Sequence, residues 1–178
     1  MTTALLIIDV QAGLSAGKYA AFEVDRMIDR INGVSARLRQ AGAPVVLIQH
    51  EEDEGLLVHG SAPWQLAAAL DTAPGDLRLR KTACDSFHKT ALQELLQARG
   101  VTELIACGLQ SEFCVDSTVR GALSRGYPVT LISDGHSTLD SGALSAAQII
   151  AHHNETLSNI SSYGPRVRLR RAQELPHA

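Results

Sequence analysis

The chain has 178 residues, a formal net charge of −3, 45% hydrophobic residues and 20% charged residues. That length and balance fit one domain with a continuous core, so residues 1–178 read as a single domain. Lys and Arg cluster only in the short RVRLRR stretch (166–171), where they alternate with apolar residues, so neither nucleic acid nor a membrane is an expected partner.

The opening MTTALLIIDVQ lacks a basic n-region, and its apolar run is too short for a signal peptide or a membrane span. Three cysteines, an odd number without regular spacing, argue against a disulfide framework. The cytoplasm is the expected compartment.

Apolar runs then alternate with segments of helical period. ALLIID (4–9) reads as a buried strand, after which Val24, Met27, Ile28, Ile31, Val34 and Leu38 form one apolar stripe on a helix. AGAP closes that helix, and VVLIQ (45–49) is the second strand. An acidic loop, Glu51 to Glu54, leads to a short expected helix, PWQLAAAL (63–70). DLRLRK (76–81) alternates as a half-covered strand does. Ser86 is the expected N-cap of a helix carrying Phe87, Leu92, Leu95 and Leu96 and stopping at Gly100.

ELIACG (103–108) is a central strand. The next helix turns Val115, Val119, Ala122 and Leu123 inward and ends near Gly126. PVTLISD (128–134) is another strand, Ser145 to Asn159 a long helix, and VRLR (167–170) an edge strand. Alternation of this kind predicts βαβ units with right-handed crossovers. The result is a mostly parallel, doubly wound α/β sheet of about six strands.

In such sheets ligands bind beyond the carboxyl ends of the strands. Asp9, His50, Lys81 and Asp134 end or follow strands, and Cys114 opens the helix after the central one. A free thiol has a pKa of roughly 8.5 and attacks as the thiolate. A helix N-terminus and an ammonium favour that thiolate, a carboxylate accepts its proton, and backbone N–H groups at the helix start suit an oxyanion hole. Each residue also has a plain reading. Asp9 fits a turn, Lys81 a solvated strand end, and a lone cysteine a small buried hydrophobe, which is how Cys84 and Cys107 read. Only the joint placement favours chemistry.

LLIIDVQ, Lys81 followed by SFHKTAL, and GLQSEFCVDSTVRGALSRGYPVTLISDG together resemble the isochorismatase-like cysteine hydrolases, over roughly residues 4–160. That superfamily contains nicotinamidases and carbamoyl-group amidases. The resemblance implies a Rossmann-like three-layer αβα sandwich with a six-stranded parallel sheet. It implies Asp9 as acid/base, Lys81 as its lysine and Cys114 as nucleophile. It also implies a cis peptide between Leu109 and Gln110, with the main-chain N–H groups of Gln110 and Cys114 as the oxyanion hole. Gln11, Leu14, His50, Trp64, Phe87, Gln110 and Glu112 are expected around the substrate, with a plain core role as the alternative for Trp64 and Phe87.

Nicotinamidases carry an Asp-x-His and further histidines after the second strand. Here no Asp stands two residues before His50, and His50 with His59 would make a partial set where a catalytic metal takes three protein ligands. No metal and no cofactor are expected. Isochorismatases that open a vinyl ether typically lack the cysteine, so Cys114 favours a C–N bond. GLQSEFCVDSTVR and AHHNETLSNI look most like a branch of bacterial amidohydrolases that includes streptothricin hydrolase, which opens a lactam. The expected substrate is a small amide, lactam or carbamoyl compound, and the expected assembly a homodimer or homotetramer. The rival readings are a vinyl-ether hydrolase, a non-catalytic binding relic and a peroxide-sensing thiol protein.

Overall fold

In β1 (Thr2–Ile8) every residue from Ala4 to Ile8 is buried, as expected of a strand covered on both faces. A computed structural model, which describes residues 2–175, places it inside a six-stranded sheet. The other strands are β2 (Val45–His50), β3 (Leu77–Lys81), β4 (Val101–Leu109), β5 (Val129–Ser137) and β6 (Val167–Arg170). Their order is β3-β2-β1-β4-β5-β6 and every pairing is parallel. The winding reverses between β1 and β4, which opens a crevice beyond their carboxyl ends.

The helices are α1 (Ala12–Ser15), α2 (Val24–Gln40), α3 (Leu92–Gln97), α4 (Asp116–Ser124) and α5 (Ala146–Asn159). Two apolar layers follow from the two-residue pleat of the strands. Leu5, Ile7, Leu47 and Cys107 face α2 through Met27, Ile28, Ile31 and Val34. Leu6, Ile8, Val46 and Leu104 face α3, α4 and α5 through Leu92, Leu96, Val119 and Leu157. β4 is pressed against β1 at Gly108, where φ is +118° and a Cβ would collide with the Ile8 carbonyl. Only glycine fits there.

Three elements differ from expectation. Residues 63–70 form turns rather than a helix, because their backbone pairs with residues 10–13: Ala12 N donates to Gln65 O, Gly13 N to Pro63 O and Ala67 N to Val10 O. The helix expected from Ser86 starts only at Leu92. Ser86 is held instead by Thr118 Oγ1, which accepts from its N–H (3.0 Å) and lies 2.8 Å from its hydroxyl, and Lys89 adopts φ +52°. β5 continues to Ser137 through a register shift against β4, so Asp134 lies inside the strand and not at its end. Among the described residues no helix is long and apolar enough to cross a membrane.

Candidate active site

Three strand ends converge in the crevice. Asp9 follows β1 in the left-handed region (φ +51°), with its N–H on Ile48 O at 2.9 Å. Lys81 ends β3 directly opposite His50, the last residue of β2. Cys114 sits in a π-helical turn, Ser111–Val115, that runs into α4. Such turns recur at functional sites. The peptide between Leu109 and Gln110, just ahead of the turn, is cis.

Lys81 Nζ lies 2.7 Å from Asp9 Oδ2, 3.1 Å from the Ala83 carbonyl and 3.3 Å from His50 Nδ1. An ammonium has three hydrogens, so this one is fully engaged. Both side chains of the Asp9–Lys81 pair are buried. Burial works against the ammonium, but Asp9 and then Cys114 outweigh it and the Lys81 pKa is raised. The other Asp9 oxygen, Oδ1, is buried without a hydrogen-bond partner. Asp9, His50 and Cys114 each offer a ligand-type atom, all within 4.8 Å of one another.

The Cys114 thiol is pushed up, by burial first and then by the Asp9 carboxylate, with Lys81 pulling the other way. The ammonium favours the thiolate, as the sequence reading expects, while burial and the Asp9 carboxylate act against it. His50 is held below the usual histidine range by its own burial and by Lys81.

A cavity of about 290 Å³ opens over this group. Asp9, Leu14, His50, Gln110 and Cys114 line it, together with Glu52, Leu56, Leu57, Cys84 and Phe113. Four expected pocket residues stand elsewhere. Gln11 is wholly buried and clamps the end of β2: its Nε2 donates to His50 O (3.0 Å) and Trp64 O (2.8 Å), and its Oε1 accepts from His50 N (2.9 Å). Trp64 meets His59 edge-on. Phe87 packs in the core against Tyr127, with Arg125 over its ring. Glu112 accepts from Thr138 Oγ1 at 2.8 Å. Cys107 is buried, but Cys84, read from sequence as buried packing, is exposed and faces the cavity.

The sequence reading missed Glu52, Leu56, Leu57 and Phe113. For the first three the only signal was the position of the EEDEGLL loop directly after a strand end; Phe113 stands beside Cys114 in the GLQSEFCV motif. His59 does not join His50, because its Nε2 lies 2.6 Å from Arg80 Nη1. The Asp9, His50 and Cys114 trio has the donor types for a metal. The Lys81 ammonium, 2.7 Å from Asp9, already occupies the place of a cation.

The Isochorismatase domain model matches residues 3–157, and the chain belongs to that family. A streptothricin hydrolase of Streptomyces noursei is 43% identical over 138 residues, which are 77% of this chain and 50% of that protein. A second from the same organism aligns over 55% of its length, so the chain spans about half the length of these curated relatives. A ureidoacrylate amidohydrolase of Methylobacterium radiotolerans is 31% identical, over 91% of this chain and 74% of its own. A crystal structure of an isochorismatase family protein superposes with a TM-score of 0.86 at 39% identity, covering 94% of this chain and 97% of that one.

Proposed function

We propose that the chain is a cysteine amidohydrolase that cleaves a C–N bond of a small amide, lactam or carbamoyl compound through a thioester on Cys114. The observation that carries this reading is the buried Asp9–Lys81 pair beside Cys114, with Asp9 Oδ1 unpartnered, under a cavity of about 290 Å³. Relatives named as a streptothricin hydrolase and an amidohydrolase support it.

Asp9 Oδ1 takes the proton of the Cys114 thiol as Sγ attacks the substrate carbonyl carbon. The carbonyl oxygen becomes an oxyanion, received by the main-chain N–H groups of Gln110 and Cys114. The C–N bond breaks, Asp9 passes its proton to the leaving nitrogen, and the acyl group stays on sulfur. A water, deprotonated by Asp9, attacks the thioester; the acid leaves and Cys114 recovers its proton. Lys81 holds Asp9 in place and favours the negative charge that develops on sulfur and oxygen. The reading gives no step to a metal. It includes a homodimer or homotetramer, supported by the exposed Tyr19, Phe22, Phe113 and Tyr163 and tested by sedimentation.

The test begins with a screen of small amides, lactams, ureides and carbamates for released amine, with Cys114→Ala as control. A substrate that turns over is then mixed with the protein and quenched in acid, and the protein is weighed. The expected result is an acyl adduct on Cys114. Efficient vinyl-ether hydrolysis that survives Cys114→Ala would sink the proposal.

A further inference from the structure

One buried histidine takes no part in the chemistry above. His136, on the last stretch of β5, is 3% exposed and has both ring nitrogens engaged: Nδ1 lies 2.8 Å from Ser111 Oγ and Nε2 lies 3.1 Å from Asn154 Oδ1. Asn154 decides where the protons are. Its Nδ2 donates to the Ser133 carbonyl at 3.0 Å, so its Oδ1 is the acceptor and His136 Nε2 carries the hydrogen. Burial, first among the causes, lowers the ring's pKa to about 4, so it is neutral and has a single N–H. Nδ1 must then accept, and the Ser111 hydroxyl donates. The chain of bonds runs one way, from Ser111 through His136 and Asn154 to the main chain of β5.

The fold makes a local exception to put the ring there. β5 advances from Leu131 to His136 while β4 advances only from Ala106 to Gly108. Bulges of this kind re-aim a side chain. Gly135 lies inside the bulge, where a Cβ would sit 2.6 Å from Ile132 Cγ2. The receiving residue is equally well placed. Ser111 is wholly buried, follows Gln110 directly and opens the turn that carries Cys114.

We propose that His136 is a positioning residue for the 110–114 loop: by accepting from Ser111 it locks the peptide groups that receive the oxyanion, while Asn154 fixes the tautomer that makes acceptance possible. The proposal rests on the reading of Cys114 as nucleophile and of the Gln110 and Cys114 N–H groups as oxyanion donors. A misplacement of about 1 Å at such groups costs on the order of 10²-fold in rate.

The test uses the whole chain, an amide that the wild type turns over, and active protein counted by alkylation of Cys114. Ser111→Ala and His136→Leu are expected to lower kcat about 10- to 100-fold with KM unchanged, because the donors act on the transition state. His136→Asn, whose amide oxygen reaches the Nδ1 position, restores most of that rate. The double variant Ser111→Ala/His136→Leu is no slower than the slower single variant, as expected of residues acting as one unit.

Hydrogen exchange at amides 110–115 is followed in parallel and is expected to quicken in Ser111→Ala and His136→Leu. An unchanged kcat in both single variants overturns the proposal, whatever exchange does. Equal losses in His136→Leu and His136→Asn, which mark plain packing, overturn it too, as does 15N NMR finding the His136 hydrogen on Nδ1. If the wild type shows no Cys114-dependent turnover, the proposed activity fails, and exchange alone decides whether His136 holds the loop.

Discussion

At Cys114 two neighbours pull in opposite directions, and that opposition separates base catalysis from thiol acidity. Asp9 raises the thiol's pKa and Lys81 lowers it. Asp9→Asn removes the proton acceptor, and turnover is expected to fall by about 10²–10⁴-fold. The same change removes the carboxylate that disfavours the thiolate, so alkylation of Cys114 by iodoacetamide at pH 8 should become faster. Mass mapping of the adduct checks this, and slower alkylation would show that Asp9 assists ionisation of the thiol more than it opposes it. Lys81 invites a different measurement. Its partner Asp9 is buried, so Lys81→Met strands a carboxylate in the interior at a cost of about 3–5 kcal/mol. Urea denaturation should show that loss, and the Lys81→Met/Asp9→Asn double variant should recover much of it.

At the scale of the element, β5 and its bulge carry a pH dependence. The folded His136 titrates at about 4, against an ordinary value of 6.5. Below roughly pH 6.5 the unfolded chain therefore binds a proton that the folded ring refuses until about 4. The ring's contribution to stability is complete above 6.5, declines as pH falls towards 4, and is flat beneath that. The loss is roughly 3 kcal/mol at about 1.4 kcal/mol per unit. Asn154 and Ser111 face the ring directly, His153 pushes its pKa down and Asp134 pushes it up. Urea curves at pH 7 and 4.5 should show the difference in the wild type and a smaller one in His136→Asn. An equal difference in both would assign the effect to other groups.

The bulge also marks where sequence reading runs out. The strands are legible because buried parallel strands appear as apolar runs such as ALLII and VVLIQ. Asp9, Lys81 and Cys114 are legible because a strand end is a local feature of the chain. The cavity wall is not. Leu56 and Leu57 look like any loop apolar residue until the chain folds back over the crevice. Cys84 misleads for the same reason, because a cysteine in a loop carries no mark of the surface it will line. His136 and Ser111 are 25 residues apart, and nothing in their local patterns couples them.

For the whole molecule, the switch point puts Asp9 and the turn that carries Cys114 just beyond the two central strands, β1 and β4, while Lys81 reaches in from the edge strand β3. Ile8, next to Asp9, is fully buried, and Ile8→Ala should cost about 2–5 kcal/mol in a denaturation experiment. With an ammonium already standing where a cation would bind, prolonged chelation should leave turnover unchanged. Loss on chelation and rescue by a single metal would bring Asp9, His50 and Cys114 back as ligands.

The molecule also divides its labour between sheet and loop. Lys81 and His50 are held by strand register and Asp9 follows β1 directly, while Glu52, Leu56 and Leu57, which line the cavity, belong to the connection between β2 and β3. Chemistry and selectivity can then change independently. A family that inherits one such reactive centre can acquire new substrates by exchanging a single surface connection, without retuning the groups beneath it. Grafting residues 51–58 from a relative of different preference should carry that preference across, with Cys114 still the acylated residue.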